Sequence, residues 1–174
     1  MNRNFLLATF VAALLAIPAA SFAQFQKGDW DLTLSGNASN GPDFDGTTIS
    51  AIGTAGYFVT DQFELTLQQT VGFSDIGGDS ALNASTGVGA FYNFNVGDKF
   101  VPYAGAYVGY AYGDAIEDTF FAGPAAGVRF FVNNSTYINL GAQYQFYFNE
   151  GDDSSEAFSD GQFIYSLGVG FILR

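Results

Sequence analysis

The chain has 174 residues, with Asp+Glu 17 against Lys+Arg 5 and a net charge of −12, a balance that disfavours a nucleic-acid partner because phosphate binding needs clustered cations. Cysteine and histidine are both absent, which removes disulfide frameworks, thiolate metal sites and imidazole general bases. Only 13% of residues are charged, while Phe 20 and Tyr 10 are abundant. That composition, against an ordinary charged share of ~25%, argues against disorder and against a typical soluble surface.

The amino terminus reads as a secretory signal peptide. Arg3 supplies the positive start, and Phe5 to Ile17 is an apolar run ended by Pro18. The run holds about a dozen residues, too few to cross a bilayer as a helix. Ser21-Phe22-Ala23 places small residues for cleavage before Gln24. The expected division is residues 1–23 as signal peptide and 24–174 as one domain.

From there the pattern alternates with period two, which predicts strands. The first strand sets Trp30, Leu32 and Leu34 opposite Asp29, Asp31, Thr33 and Ser35. Ser39 to Gly46 is dense in turn residues. The second strand, Thr47 to Val59, places Ile49, Ala51, Ala55, Tyr57 and Val59 on one face. The third sets Phe63, Leu65, Leu67, Val71 and Phe73 against Glu64, Thr66, Gln68 and Thr70. Asp75 to Ser80 reads as another loop. The fourth strand carries Leu82, Val88, Tyr92 and Phe94 against Asn83, Ser85, Gly87, Gly89 and Asn93.

The fifth strand, Phe100 to Tyr112, turns Val108, Tyr110 and Tyr112 one way and Gly105 and Gly109 the other, where a narrow interior would call for small residues. The sixth sets Phe120, Val128 and Phe130 against Gly123, Gly127 and Arg129. Pro102 and Pro124 fall inside these two strands, and each removes a ladder donor. The seventh sets Ile138, Leu140, Tyr144 and Phe148 against Asn139, Gly141, Gln143, Gln145 and Tyr147. Asn149 to Gly161 is the longest loop. The last strand, Gln162 to Arg174, carries Phe163, Tyr165, Leu167, Val169, Phe171 and Leu173 on one face. Its opposite face is mostly small or polar. The bulky apolar face is therefore expected to point outward, toward lipid.

Tight turns recur at near-equal intervals, close to Asp61, Gly97 and Asn134. They divide the chain into four up-and-down pairs, which makes eight strands. Each expected strand is roughly 10–13 residues long, and a tilted bilayer crossing takes ~9–11. Short turns alternate with long loops rich in Asp and Glu. The cations Lys27, Lys99, Arg129 and Arg174 all lie at or near the short-turn end.

These features resemble the small eight-stranded outer-membrane proteins, the OmpA/OmpX/OmpW-like barrel group. The carriers are Gly56-Tyr-Phe-Val-Thr-Asp-Gln-Phe-Glu-Leu65, Val101-Pro-Tyr-Ala-Gly-Ala-Tyr-Val-Gly-Tyr110, Gly127-Val-Arg-Phe-Phe131 and the last strand. The resemblance implies an all-β, eight-stranded antiparallel up-and-down transmembrane β-barrel in a Gram-negative-type outer membrane, behind a cleaved signal peptide. It implies as partners outer-membrane lipid, lipopolysaccharide and the barrel-insertion machinery. Such barrels usually end on an aromatic residue. This chain ends Phe171-Ile-Leu-Arg174, so Phe171 or Leu173 must stand in as the insertion signal.

No enzyme activity and no cofactor are expected, because the serines have no recognisable base partner. The run Glu150, Asp152, Asp153 and Glu156 is the richest set of hard-cation ligands. Its spacing is not that of an EF-hand, and a solvated, self-repelling loop is the favoured reading. Inside the barrel, Arg129 shares inward parity with Glu64, Asp31 and Asp29 near one end. A buried guanidinium needs a carboxylate, so Arg129 is expected to pair with Glu64 or Asp31. A structural plug is favoured over a gate. The expected role is structural or surface-interaction: envelope integrity, adhesion or binding of an unidentified extracellular ligand through the acidic loops. The alternatives are a narrow channel for small or hydrophobic solutes, and a secreted lipocalin-like barrel with its apolar face inside.

Overall fold

The computed structural model describes residues 25–40, 47–76, 79–97, 99–113, 118–148 and 162–174. The expected signal peptide, its cleavage site and the acidic run from Glu150 to Glu156 lie outside these residues. The strands are β1 Trp30–Asn40, β2 Thr47–Phe58, β3 Phe63–Ile76, β4 Asp79–Asn93, β5 Phe100–Gly113, β6 Thr119–Phe131, β7 Thr136–Phe148 and β8 Gln162–Leu173. Each pairs antiparallel with its sequence neighbour, and β8 returns to β1 from Trp30↔Leu173 to Gly36↔Leu167. The sheet is closed and has no free edge, the arrangement that satisfies every strand's backbone in lipid.

The alternation decides what faces where. Leu34 is 67% exposed and Leu140 52% exposed on the outside, while Glu64 and Phe58 on the inside are fully buried. The apolar face is therefore the outer one, which rules out the lipocalin-like reading. Aromatic rings gather toward both rims of the belt. Trp30 meets Tyr57 at 5.2 Å near the short turns, and Tyr110 meets Phe120 at 4.9 Å near the long loops. Such girdles mark the two interfaces of a membrane barrel.

Three local expectations need correction. The loop expected from Asp75 to Ser80 is largely ladder, with Asp75↔Ser80 and Ile76↔Asp79 still paired. Gly77 and Gly78 lie outside the described residues, and cross-strand pairing on either side of them outweighs the turn preference of the flanking acids. The second strand stops at Phe58, one residue before Val59, and the first runs on through Ser39 to Asn40. The interior is also bulkier than expected. Phe91, Tyr103, Tyr107, Phe121 and Tyr137 all point inward, and glycines on neighbouring strands make room for them. A Cβ on Gly109 would lie 2.4 Å from Phe121, and one on Gly170 would lie 2.1 Å from Tyr137.

Both prolines are accommodated within strands. Pro102 accepts from the Phe94 amide at 2.8 Å. Its own nitrogen faces β4 just beyond the last rung, Asn93↔Tyr103. Pro124 interrupts the β6–β7 ladder between Ala122↔Phe146 and Ala125↔Gln143. The Tyr144 carbonyl in that gap accepts instead from the Tyr107 hydroxyl of β5, at 3.1 Å over the inner face of β6. An inward tyrosine thus replaces the donor that proline lacks.

Candidate functional site: a buried ion pair across the lumen

From the short turns upward, the inward residues of β6 are Phe131, Arg129, Gly127, Ala125, Gly123, Phe121 and Thr119. Arg129 therefore enters the lumen close to the short-turn mouth, with Val101 and Asn139 as its ladder neighbours. Its side chain crosses the barrel. One terminal nitrogen, Nη2, lies 2.8 Å from Glu64 Oε2 on β3 and 3.2 Å from Asp31 Oδ2 on β1. The other, Nη1, donates to Asn93 Oδ1 on β4 at 2.8 Å. The guanidinium thus meets both candidate acids rather than one of them. Asn93 also donates to Glu64 Oε2 at 3.4 Å and to the Gln62 carbonyl at 3.3 Å, tying the ion pair to the β2–β3 turn.

The second acid has its own support. The Tyr137 hydroxyl lies 2.6 Å from both oxygens of Asp31 and 2.6 Å from Thr33 Oγ1. The phenol donates to the carboxylate, and the Thr33 hydroxyl reaches both the phenol oxygen and, at 3.3 Å, Asp31 Oδ1. Three rings surround the cation: Tyr103, Phe25 and Tyr137 have centroids 5.0, 5.2 and 5.3 Å from Arg129 Cζ. Their faces offset part of the cost of stripping water from the guanidinium. Two acids thus share one base in this cluster. Glu64 Oε1 and Arg129 Nε have no hydrogen-bond partner among the described residues.

Asp29 does not belong to this cluster. Although it is buried and near the same mouth, its Oδ2 accepts from the Gln26 amide at 2.9 Å and sits 3.6 Å from Arg174 Nε. Its position one residue before β1 lets the chain turn it toward the carboxy-terminal strand, away from Arg129. Phe171 and Leu173 both point outward on β8, beside Leu32 and Trp30 of β1. Among the described residues no group of three or more His, Cys, Asp or Glu side chains is placed to hold a metal ion.

Several residues of the site carried no signal that sequence reading used. Tyr137 shares the inward parity of Asn139 and Gly141, so period two was enough to find it. Asn93 had inward parity but no charge to draw notice. Gly56 is required by sterics, since a Cβ there would fall 2.0 Å from Glu64 Oε1. Phe25 precedes every strand, so no parity applied to it.

Beyond Arg129 the lumen opens into a cavity of about 70 Å³ lined mainly by polar side chains, among them Thr33, Thr66, Gln68, Asn139 and Gln143. A second space of about 190 Å³ follows toward the long loops, bordered by Ser50, Thr70, Ser85, Tyr147 and Gln162. Toward the short turns the lumen ends in a buried apolar layer of Phe25, Phe58, Val101, Phe131, Tyr137 and Ile172. Tyr107, Ala111 and Phe121 form a second buried cluster within the lumen, so the interior is a mixed polar and aromatic recess above a sealed base.

No family model and no curated protein matches this sequence. Among solved structures the barrel is similar to the amino-terminal β-barrel domain of Pseudomonas aeruginosa OprF, with a TM-score of 0.58 and 21% identity over 85% of this chain and 98% of that one. It is similar to the outer membrane protein OprG from Pseudomonas aeruginosa, with a TM-score of 0.58 and 12% identity over 87% and 99% of the two chains. It is also similar to Neisserial surface protein A, with a TM-score of 0.60 and 15% identity over 84% and 97%. At these identities the likeness is one of fold, and it agrees with the closed sheet, the outward apolar belt and the aromatic girdles: this chain has the fold of the small eight-stranded outer-membrane β-barrels.

Proposed function

We propose that the chain is a non-catalytic integral outer-membrane protein with a structural or surface-interaction role. It would be anchored by its lipid-facing belt and would meet partners through the acidic loops. One observation carries this reading: Arg129, Glu64 and Asp31 span the lumen above a buried aromatic layer, so the barrel is filled where a passage would need space. Eight strands leave an interior that side chains can fill. The partners it implies are outer-membrane lipid and lipopolysaccharide around the belt, and the insertion machinery during assembly. The acidic loops suit cationic or cation-bridged partners, since their acids repel anions.

A second reading, a narrow channel, is favoured by the polar recess beyond Arg129. Any current through it would be cation-selective, because two buried acids face one arginine. Planar-bilayer recording of the reconstituted protein separates the two. The structural reading expects a bilayer that stays electrically silent. Steady single-channel steps would replace it with the channel reading, and an anion preference in reversal potentials would contradict both the selectivity and its assigned cause.

A further inference from the structure

Residues 25–29 precede the first strand, yet they supply part of the barrel's interior. Phe25 is completely buried. Its ring stacks on Phe58 at 4.3 Å and 13°, and meets Phe131 edge-on at 5.4 Å. Its face lies 5.2 Å from the Arg129 guanidinium carbon. The other members of this apolar layer, Phe58, Val101, Phe131, Tyr137 and Ile172, all belong to strands and cannot leave without breaking rungs. Phe25 alone among them hangs on a short hook outside the sheet.

The bonds that hold the hook all lie at its base, over residues 26–29, where Asp29 Oδ2 also sits 3.6 Å from Arg174 Nε. The Gly28 amide donates to the Phe58 carbonyl at 2.8 Å, and the Phe58 amide donates to the Asp29 carbonyl at 3.0 Å. The Gln26 amide donates to Asp29 Oδ2 at 2.9 Å, closing a turn that the Asp29 amide completes by donating to the Gln26 carbonyl. The Lys27 amide donates to Asp61 Oδ1 at 2.8 Å, on the β2–β3 turn. The reversal passes through Gly28, whose φ of 97° is disfavoured for side chains other than glycine. A segment outside the ladder, attached at its base and carrying one ring into a mouth, is able to open locally while the rest of the structure stays closed.

We infer that the hook is a removable plug. Phe25 closes the short-turn mouth, and the Arg129 ion pair closes the level above it, so the lumen has two seals in series. Release of the hook admits water to the ion pair without unpairing any strand. The conductive consequence rests on the channel reading above; the plug itself does not.

The test uses the absence of cysteine from the chain. Val101 is buried in the plugged layer, and a Val101→Cys variant places one thiol there. Labelling of the folded, reconstituted protein by a small charged thiol reagent is measured alone, with Phe25→Ala, and with Gly28→Ala. Gly28 is exposed, and an added Cβ there meets nothing within 4 Å, so alanine acts on the hook through its backbone angle alone. Both second substitutions are expected to speed labelling by roughly ten-fold or more, as a cheaper local opening requires. Heat-modifiable gel mobility confirms that each barrel remains folded, and Gly28→Ala carries the test if Phe25→Ala does not fold. Equal rates in the folded variants would overturn the plug. Bilayer recording of Phe25→Ala with Arg129→Ala then addresses the passage separately. Silence there, with fast labelling, would sink the channel reading and leave the plug standing.

Discussion

The Glu64 carboxylate occupies the space that a side chain at Gly56 would need: a Cβ built on Gly56 falls 2.0 Å from Glu64 Oε1 and 3.2 Å from Asp31 Cβ. The two acids of the ion pair are therefore seated around a glycine on the strand between them. Gly56 is paired with Asp31 on one side and Thr66 on the other. Replacing it by alanine should displace Glu64 from Arg129 and destabilise the barrel by about 1–3 kcal/mol, the ordinary cost of overpacking. Gly53, on the same strand with open space around it, is the control, and alanine there should be neutral or slightly stabilising. Urea titrations of refolding into lipid measure both; equal effects would show that Gly56 has no special role.

Removing the cation should be worse. Arg129→Ala leaves two buried carboxylates without their shared partner, a loss of ~3–5 kcal/mol where burial is complete. Glu64→Ala removes one of those acids, so the Arg129→Ala, Glu64→Ala protein should recover part of the loss, while the pairing with Asp31 keeps the recovery incomplete. A double-mutant cycle reads the coupling directly. Strict additivity would mean that the 2.8 Å contact contributes nothing to stability.

The Tyr107–Tyr144 bond gives a second cycle. Tyr107→Phe should cost about 1–3 kcal/mol, because the Tyr144 carbonyl loses the donor that replaces the missing amide of Pro124. In a Pro124→Ala background the alanine amide is available to that carbonyl, so the same Tyr107→Phe change should cost less. An unchanged cost would sever the link between the proline and the tyrosine.

The lipid face and the lumen face should respond oppositely to polarity. Leu140→Arg puts a charge on the outer belt and should cost about 2–4 kcal/mol near the midplane, whereas Gln143→Ala on the lumen side should cost less. The comparison uses the same refolding titration, and similar losses would contradict the facing of β7.

Much of this was legible in the sequence because closed barrels keep a strict period of two. Every large outward residue from Trp30 to Leu173 follows from parity, as does the inward aim of Arg129, Glu64 and Asp31. Parity carries no distance, however, so it left Glu64 and Asp31 as rivals where the guanidinium meets both. Asp29 precedes β1, where the chain turns and parity ends, so parity does not place it; the same break hides Phe25. Glycines alone suggest a merely small interior, because the rings that fill it stand on the strands beside them. Composition favours a loop from Asp75 to Ser80, and the ladder overrides it.

The barrel's alternating apolar face meets lipid, and β8 is the strand on which to measure it. With no native cysteine, single spin labels are placed in turn at Ile164, Tyr165, Ser166, Leu167 and Val169, and their collision rates with oxygen and with a water-soluble nickel chelate are measured in liposomes. Labels at Tyr165, Leu167 and Val169 are expected to collide mainly with oxygen, which concentrates in lipid, and labels at Ile164 and Ser166 far less. A flat profile, or one with the two sets exchanged, would contradict the account.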